Sequence, residues 1–251
     1  MASPPSKTAF PVIRDVGLTG VLVSFADRLS EAANRAALAF RATVEAEGWD
    51  GVEETATSLT SVFLRFDPLA LAHEDLTTRL AALLRQQDWF AAPLPAGRCH
   101  RRIPLVLGGA QGPQFDEAVQ VAGIDANVAR AAIAAARVRV LTIGFAPGQP
   151  YMGELDKTWD IPRMTALNPR VPEGALVVAI RQLIIFSRAA PTGWRHIGQT
   201  AFRCFRPAAA QPFALNPGDE VSFRLVDGEE LDAIRAADKT GDGGAVCGAA
   251  E

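Results

Sequence analysis

The spacing of apolar residues in the first third of the chain predicts two strands and two helices. TGVLVSFA (19–26) and SLTSVFLRFDP (58–68) are short runs rich in Val, Leu and Phe, and Pro68 ends the second. DRLSEAANRAALAFRATVEAEGW (27–49) and HEDLTTRLAALLRQQDW (73–89) have helical spacing instead. Strand, helix, strand and helix in this order predict a small two-layer α+β domain over residues 10–92.

Local signals support both helices. Ser30 is positioned to cap the first helix, and Gly48 is positioned to end it. In the second helix one apolar face repeats at i, i+4, i+7 and i+8, and it consists of Leu76, Leu80, Leu83 and Leu84. Both segments therefore have a side that can pack on a sheet.

A domain boundary is predicted where the periodicity stops. FAAPLPAGRCHRRIP (90–104) contains three prolines, a glycine and four basic groups without any repeat. We assign a linker to residues 93–102, and its basic cluster is most simply a solvated surface. Residues 1–9 are predicted to be disordered, and so is the Gly- and Ala-rich tail 238–251.

The second part of the chain, residues 103–237, predicts a β-barrel or sandwich. GPQFDEAVQVAG (112–123) and DANVARAAIAAA (125–136) have helical spacing, and GEELDAIRAAD (228–238) suits a short closing helix. Between them the apolar runs are short and turn signals recur every 8 to 12 residues, as in antiparallel barrels or sandwiches. The fold class is therefore α+β, with a small N-terminal domain followed by a mainly antiparallel β domain.

Composition narrows the class of protein. The 251 residues carry a formal charge of −3, without the clustered basic excess that nucleic-acid binding requires. No apolar run approaches the length of a membrane span, and the first 15 residues lack a signal-peptide core, so a cytoplasmic protein is expected. The three cysteines and three histidines show no metal-ligand spacing, and no metal site is predicted. There is no P-loop and no GxSxG motif.

One constrained loop stands out. GFAPGQPYMGELD, from Gly144 to Asp156, holds three glycines, two prolines and the chain's one tyrosine, directly after a strongly apolar run. Glycines let a backbone approach a ligand closely, and prolines fix the path of the chain. The alternative is a tight barrel corner, which the residues alone favour.

Five segments in one order resemble the allophanate hydrolase subunit 1 family, which includes the B subunit of 5-oxoprolinase and sporulation kinase inhibitors. The loop resembles GFxPGFPYLGGLD. IPRMTALNPRVPEGALVVAI (161–180) is similar to PR followed by RVPxGSVxIA, and RQLIIFSRAAPTGWRHIGQT (181–200) to GGQTxIYPxxSPGGWxxIGRT. IPLVLGGAQGPQFDEAV (103–119) is similar to IPVxYGGExGPDLxEVA, and LNPGDEVSF (215–223) to LxPGDxVxF.

The resemblance implies a fold, a partner and a chemistry. The fold is a small α+β domain followed by a cyclophilin-like β-barrel over residues 103–237. The partner is a homologous subunit 2, in a hetero-oligomer. The chemistry is ATP-dependent hydrolysis of a small amide, lactam or urea-type substrate, or carboxyl transfer, with ATP used at the level of the complex.

The chain departs from these motifs at several polar positions. Ala110 replaces an acidic residue, Ile133 a histidine, Gln149 an aromatic residue and Gln199 an arginine. Proton transfer needs ionisable groups within reach, and the departures remove such groups, so no catalytic residue is assigned. His196, beside Arg195, is expected to be a solvated strand residue, and Cys204 a thiol of the core or the surface.

The resemblance and the residue chemistry together give a candidate substrate-binding set at the barrel mouth: Gly144, Phe145, Pro147, Tyr151, Arg163, Arg170 and Gln182. Arg163 and Arg170 suit a carboxylate or phosphate, with surface ion pairs as the alternative role. Gln182 suits an amide or urea group, with a buried structural amide as the alternative. Tyr151 suits a carbonyl oxygen or barrel-edge packing, and Trp194 is expected to pack in the core.

Three functions remain open on the sequence. The first is a hydrolase subunit that is inactive alone. The second is a non-catalytic binding or regulatory protein, such as a histidine-kinase inhibitor. The third is a structural subunit that positions a catalytic partner.

Overall fold

A computed structural model describes residues 9–250, and the predicted disorder of residues 1–8 lies outside this range. The chain divides into two compact units, Met1–Ala96 and Gly97–Glu251. The predicted domains 10–92 and 103–237 fall inside the first and second unit, respectively. None of the helices within the described range combines the length and the apolar composition that a membrane-spanning helix requires.

Within residues 9–96, the first unit is a four-stranded antiparallel sheet with two α-helices. Its elements are β1 (Val12–Val16), β2 (Gly20–Ser24), α1 (Glu31–Glu47), β3 (Val52–Thr57), β4 (Ser61–Phe66) and α2 (His73–Leu84). The strand order is β1-β2-β4-β3. The two predicted strands are the central ones, and the two strands that the sequence did not predict are the edges. The two helices were also predicted correctly.

The predicted helix signals of the first unit are present. The Ser30 hydroxyl accepts a hydrogen bond from the Ala33 amide at 3.2 Å, and Gly48 ends α1 with φ 60°. Leu76, Leu80 and Leu83 are buried in one cluster with the inward residues of the sheet and of α1. Burial of these apolar faces, rather than helix propensity, stabilises helices of this length.

Within residues 97–250, the second unit contains ten strands and three helices of eight residues or more. They are β5 (Cys99–Leu107), α3 (Phe115–Ala122), α4 (Ala126–Ala135), β6 (Arg137–Ile143), β7 (Pro150–Gly153), β8 (Asn168–Val171), β9 (Ala175–Ala179), β10 (Gln182–Ile185), β11 (Ala190–Thr192), β12 (Arg195–Gln199), β13 (Glu220–Leu225), α5 (Gly228–Ala237) and β14 (Val246–Ala249). The three predicted helices are α3, α4 and α5.

Seven of these strands close into a barrel. The order is β12-β9-β10-β7-β6-β13-β5, and β5 pairs with β12 to complete the circle. All neighbouring pairs are antiparallel except β13 and β5, which run parallel over six residues. The predicted fold class is confirmed, with this one parallel pair as the exception to an antiparallel barrel. Alternate residues of all seven strands meet in an interior core, to which α3 and α4 contribute.

Two predicted boundaries differ from the structure. The linker assigned to 93–102 overlaps β5, which begins at Cys99 and pairs with both β13 and β14. The tail assigned to 238–251 contains β14, whose residues pair with Cys99–Arg102. An alternating polar and apolar pattern arises only where one face of a strand is buried. Strand β14 is exposed and the first half of β5 is only partly buried, so neither sequence shows this pattern. Both strands are ordered by backbone pairing, which cannot be inferred from the pattern of side chains.

Candidate functional site

A two-stranded ribbon covers the outer face of the barrel at β9 and β10. Strand β8 pairs with β11, with Val171 opposite Ala190 and Asn168 opposite Thr192. Residues of the ribbon pack on the outward residues of β9 and β10 to form an outer cluster: Val171, Ala175, Val177, Ala179, Ile184, Phe186, Ala190 and Trp194. Both faces of β9 and β10 are therefore buried, which explains their continuously apolar sequences.

A cavity lies at each end of the ribbon. The first cavity, about 500 Å³, contains the Asn168 end and is lined by Gln114, Glu117, Arg195 and residues 162–168. The second cavity, about 620 Å³, contains the Val171 end and is lined by Arg170, Pro172, Glu173, residues 187–189, Phe205 and Pro207. The two predicted arginines thus face different cavities, Arg163 the first and Arg170 the second.

Arg163, Trp194 and Tyr151 form a stack beside the first cavity. The guanidinium carbon of Arg163 lies 5.4 Å from the centroid of the Trp194 ring. The Tyr151 ring meets Trp194 edge-on, with centroids 6.1 Å apart. Trp194 is 5 % exposed, in agreement with its predicted packing role, and it holds an otherwise exposed arginine against the protein.

Hydrogen bonds fix the polar floor of the first cavity. The side-chain amides of Gln114 and Asn168 bond to each other in both directions, at 3.2 and 2.7 Å. Gln114 Oε1 also accepts from the His196 amide at 2.8 Å. Because these amides are engaged in hydrogen bonds, they hold the ribbon against β12. The Arg163 guanidinium is less constrained than these two amides and is the group of the cavity that is available to a ligand.

Arg195 is a second guanidinium at the first cavity, and it is buried. Its Nε donates to Glu117 at 3.0 Å, and its Nη1 donates to the Pro162 carbonyl at 2.6 Å. Glu117 lies on α3 and Pro162 just before Arg163. Arg195 therefore joins the helix to the segment that carries Arg163.

His196 is buried, which is contrary to the expectation of a solvated residue. Its exposed fraction is 7 %, and Nε2 lies 3.0 Å from the Gly198 carbonyl oxygen. Burial lowers the pKa of the imidazole below its usual 6.5. Because a carbonyl can only accept, the neutral ring donates from Nε2. The ring acts as a structural donor inside the barrel wall.

The Gly144–Gln149 loop is a barrel corner between β6 and β7. The Gly144 amide donates to the Gln149 carbonyl at 3.1 Å, which closes the loop. Gly148 has φ 70°, and a Cβ on it would lie 2.8 Å from the Cys204 carbonyl oxygen. Phe145, also at positive φ, is 74 % exposed, and Pro147 is exposed. The glycine is required by the neighbouring backbone at Cys204, while Phe145 and Pro147 are exposed.

The predicted site residues are therefore not gathered in one place. Gln182 is 4 % exposed on β10, opposite Gly153 and Ala179, and lines neither cavity. Tyr151 is half-buried against the outer cluster. The loop residues Gly144, Phe145 and Pro147 also lie outside the linings of both cavities. Of the predicted set, Arg163 and Arg170 alone line either cavity.

Within residues 9–250, neither Cys204 nor a cluster of metal ligands offers a reactive centre. Cys204 is fully buried, and burial raises the pKa of its thiol far above the usual range, so a thiolate does not form there. No group of three or more His, Cys, Asp or Glu side chains in this range is placed to hold a metal ion. The two cavities offer guanidinium, amide and carboxylate groups, which suit recognition.

Sequence reasoning missed Gln114, Glu117, Asn168 and Arg195. The contacts among them span between 54 and 78 residues along the chain, so no local pattern reveals them. The sequence did contain one indication of these residues, since all four lie within the segments that carry the family resemblance.

Comparison with known proteins gives the family. Residues 11–215 match the carboxyltransferase domain, subdomain C and D. The chain belongs to this family.

Two curated relatives carry the same name. The 5-oxoprolinase B subunit of Bacillus subtilis is 24 % identical over 89 % of this chain and 96 % of its own length. The 5-oxoprolinase B subunit of Haemophilus influenzae is 31 % identical over 70 % of this chain and 76 % of its own length.

Among solved structures, the K. lactis urea amidolyase superposes with a TM-score of 0.74 over 100 % of this chain. The identity is 18 %, so this likeness concerns the fold alone, and the chain spans only 17 % of that protein.

Proposed function

We propose that this chain is a subunit of a heteromeric, ATP-dependent amidohydrolase of the 5-oxoprolinase type. It acts with a homologous subunit 2 on a small cyclic amide or a urea-type compound. The observation that carries the proposal is the nearly end-to-end correspondence with the 5-oxoprolinase B subunit of B. subtilis, which covers 96 % of that protein. Allophanate-type hydrolysis and carboxyl transfer are the related chemistries within the same proposal.

The first cavity is the proposed substrate-facing site of this subunit. Arg163 presents a guanidinium that is anchored on Trp194, and such a group binds a carboxylate through two parallel hydrogen bonds. Arg195 and the Gln114–Asn168 pair hold the surrounding backbone in place. In this proposal the cavity binds and orients the substrate, and the partner subunit supplies the groups that transfer protons.

ATP acts at the level of the complex in this proposal. There is no P-loop motif in the sequence, and within residues 9–250 no group of three or more His, Cys, Asp or Glu side chains is placed to hold a metal ion. No step in this subunit is therefore assigned to the nucleotide.

Co-expression with the subunit 2 homologue tests the proposal. The complex is expected to cleave 5-oxoproline with ATP, measured as release of glutamate, while this chain alone shows no turnover. Arg163→Ala is expected to abolish activity and leave the complex assembled. Arg235→Ala, on the exposed face of α5, is the matched control and keeps activity. Failure of the two chains to associate contradicts the proposal.

A regulatory binding protein is the second candidate, and one observation favours it. Ile133, which stands at the histidine of the resembled motif, is completely buried in the interior core. Packing has replaced an ionisable group there. Affinity purification of the tagged chain from its native extract separates the two functions. Recovery of a histidine kinase without subunit 2 supports regulation, and a stoichiometric subunit 2 supports the enzyme.

A further inference from the structure

The second cavity is independent of the cavity assigned to the proposed function. It lies at the Val171 end of the ribbon, where the segment after β10 passes Phe205 and Pro207. Its lining combines two arginines, one glutamate, one serine and several apolar residues. Three of its polar groups, two exposed guanidinium groups and one buried hydroxyl, lack partners among the described residues.

Arg170 and Arg188 both line the second cavity. Both side chains are exposed, and within residues 9–250 neither forms a hydrogen bond or an ion pair. Glu173, the acidic residue of the lining, has a partner of its own, since it lies 3.9 Å from the Arg203 guanidinium. The formal charge of the lining is +1 (two arginines and one glutamate).

Ser187 adds a buried polar atom that the protein leaves unsatisfied. The residue is 6 % exposed, and its hydroxyl oxygen has no hydrogen-bond partner within the described residues. Buried hydroxyl groups are nearly always hydrogen-bonded, and an exception calls for a ligand or an ordered water. Ser187 directly precedes Arg188, and both residues line the second cavity.

The remaining wall of the cavity is apolar. Pro172, Phe205 and Pro207 contribute rigid surfaces, and the Phe205 ring is braced by Phe213 at a centroid distance of 5.4 Å. A ligand that fits must therefore carry both a negative group and an apolar body. Two guanidinium groups and a hydroxyl donor suit the planar fork of a carboxylate.

We propose that the second cavity binds a small organic carboxylate, whose charged group is held by Arg170, Arg188 and the Ser187 hydroxyl, and whose apolar part packs on Phe205 and the two prolines. A mono-anion matches the charge of the lining. The proposal does not depend on the hydrolase function, since the same site would serve a regulatory protein equally well.

Calorimetric titration of the purified chain with benzoate tests the proposal. Benzoate combines a carboxylate with a flat apolar ring, benzamide is its neutral counterpart, and inorganic phosphate is a more highly charged anion without an apolar body. Saturable binding of benzoate is expected, with no detectable binding of benzamide and weaker binding of phosphate. Equal binding of benzamide, or tighter binding of phosphate, overturns the carboxylate assignment.

Variants locate the bound benzoate. Arg170→Gln and Arg188→Gln are each expected to weaken its binding about tenfold, as the loss of a charge-assisted hydrogen bond implies. Ser187→Ala weakens binding less, and it leaves the thermal midpoint of the ligand-free chain unchanged or raised, because the hydroxyl has no partner to lose. Arg163→Gln, in the first cavity, leaves benzoate binding unchanged. Loss of binding in Arg163→Gln, or none in the Arg170 and Arg188 variants, contradicts the assignment.

Discussion

Arg163 lies over the ring of Trp194, with the guanidinium carbon 5.4 Å from the ring centroid, although the two residues are 31 positions apart. The contact joins the irregular segment after β7 to the start of β12. An exposed arginine usually samples many rotamers, and stacking on an aromatic face restricts them. The stack thus provides a pre-oriented cation at the first cavity.

Replacing Trp194 tests the importance of this stack for stability. Trp194→Ala is expected to lower the free energy of unfolding by about 3–5 kcal/mol, because a large buried ring is removed. Arg163→Ala removes only the exposed partner and is expected to cost about 0.5–1 kcal/mol. Urea denaturation measures both. Equal losses in the two variants would show that the ring contributes no packing of its own.

Gly148 is predicted to be intolerant of a side chain. Gly148→Ala places a Cβ 2.8 Å from the Cys204 carbonyl oxygen and forces a left-handed backbone on alanine, which costs about 1–2 kcal/mol for the backbone alone. Gly144→Ala is the matched control in the same loop, because a Cβ there meets open space and its φ is not left-handed. The control is expected to stay within about 0.5 kcal/mol of the parent. Denaturant midpoints decide between them.

Gln149 is predicted to be a site of easy stabilisation. It is 1 % exposed, and its Oε1 has no partner within the described residues. Gln149→Met keeps the shape and removes the unsatisfied oxygen, so a gain of about 1 kcal/mol is expected. Gln199→Met is the opposite case, since the Gln199 amide donates to the Glu173 and Thr200 carbonyls at 2.8 and 2.9 Å, and it is expected to lose about 1–3 kcal/mol. A thermal midpoint that falls in both variants contradicts the prediction.

The pKa of His196 predicts a pH dependence of stability. Burial lowers the pKa of His196 in the folded state below the unfolded value of about 6.5. Between these two pKa values the imidazole is protonated in the unfolded chain but neutral in the folded chain. The contribution of His196 is fully present above that value and is lost as the pH falls from 6.5 towards the folded pKa. His196→Gln is expected to flatten the stability profile between pH 7 and 5, measured by urea denaturation. An unchanged slope would show that the histidine does not titrate in this range.

The Arg195–Glu117 pair gives a fifth prediction. Arg195 is 6 % exposed, and Glu117 is its carboxylate partner from α3. Glu117→Gln leaves a buried guanidinium without its counter-charge, and because Glu117 itself is partly solvated we expect a loss of about 1–2 kcal/mol. Asp116→Asn, an exposed neighbour on the same helix, controls for the change in net charge. If both variants lose equally, the effect belongs to the helix terminus rather than to the pair.

The strands that could be predicted from the sequence are those whose side chains are mostly buried and therefore apolar. Strands β2 and β4 lie in the middle of the first sheet and bury most of their residues, so their apolar runs identify them. Strands β1 and β3 are edges with few buried residues, and their sequences, VIRDV and VEETAT, lack such apolar runs. Strand β14 is fully exposed, and its backbone pairs with β5 from Cys99 to Arg102.

The candidate site was less predictable for a different reason. The motifs identified Arg163 and Arg170 as candidate binding residues, and both do line cavities. They could not show that the ribbon separates the two arginines, since that depends on the register of β8 against β11. Gln114 and Asn168 touch across 54 residues, and such contacts follow from the folded topology rather than from local sequence.

The pairing of β14 with β5 places the two ends of the second unit side by side, with Ala249 opposite Cys99. Residues paired in this way have Cα atoms about 5 Å apart, a gap that a short peptide can bridge. Closure of the barrel therefore does not require β5 to be the first strand of the second unit. A circular permutant that joins these ends and opens in an exposed loop, such as the one after Arg206, should fold to the same barrel.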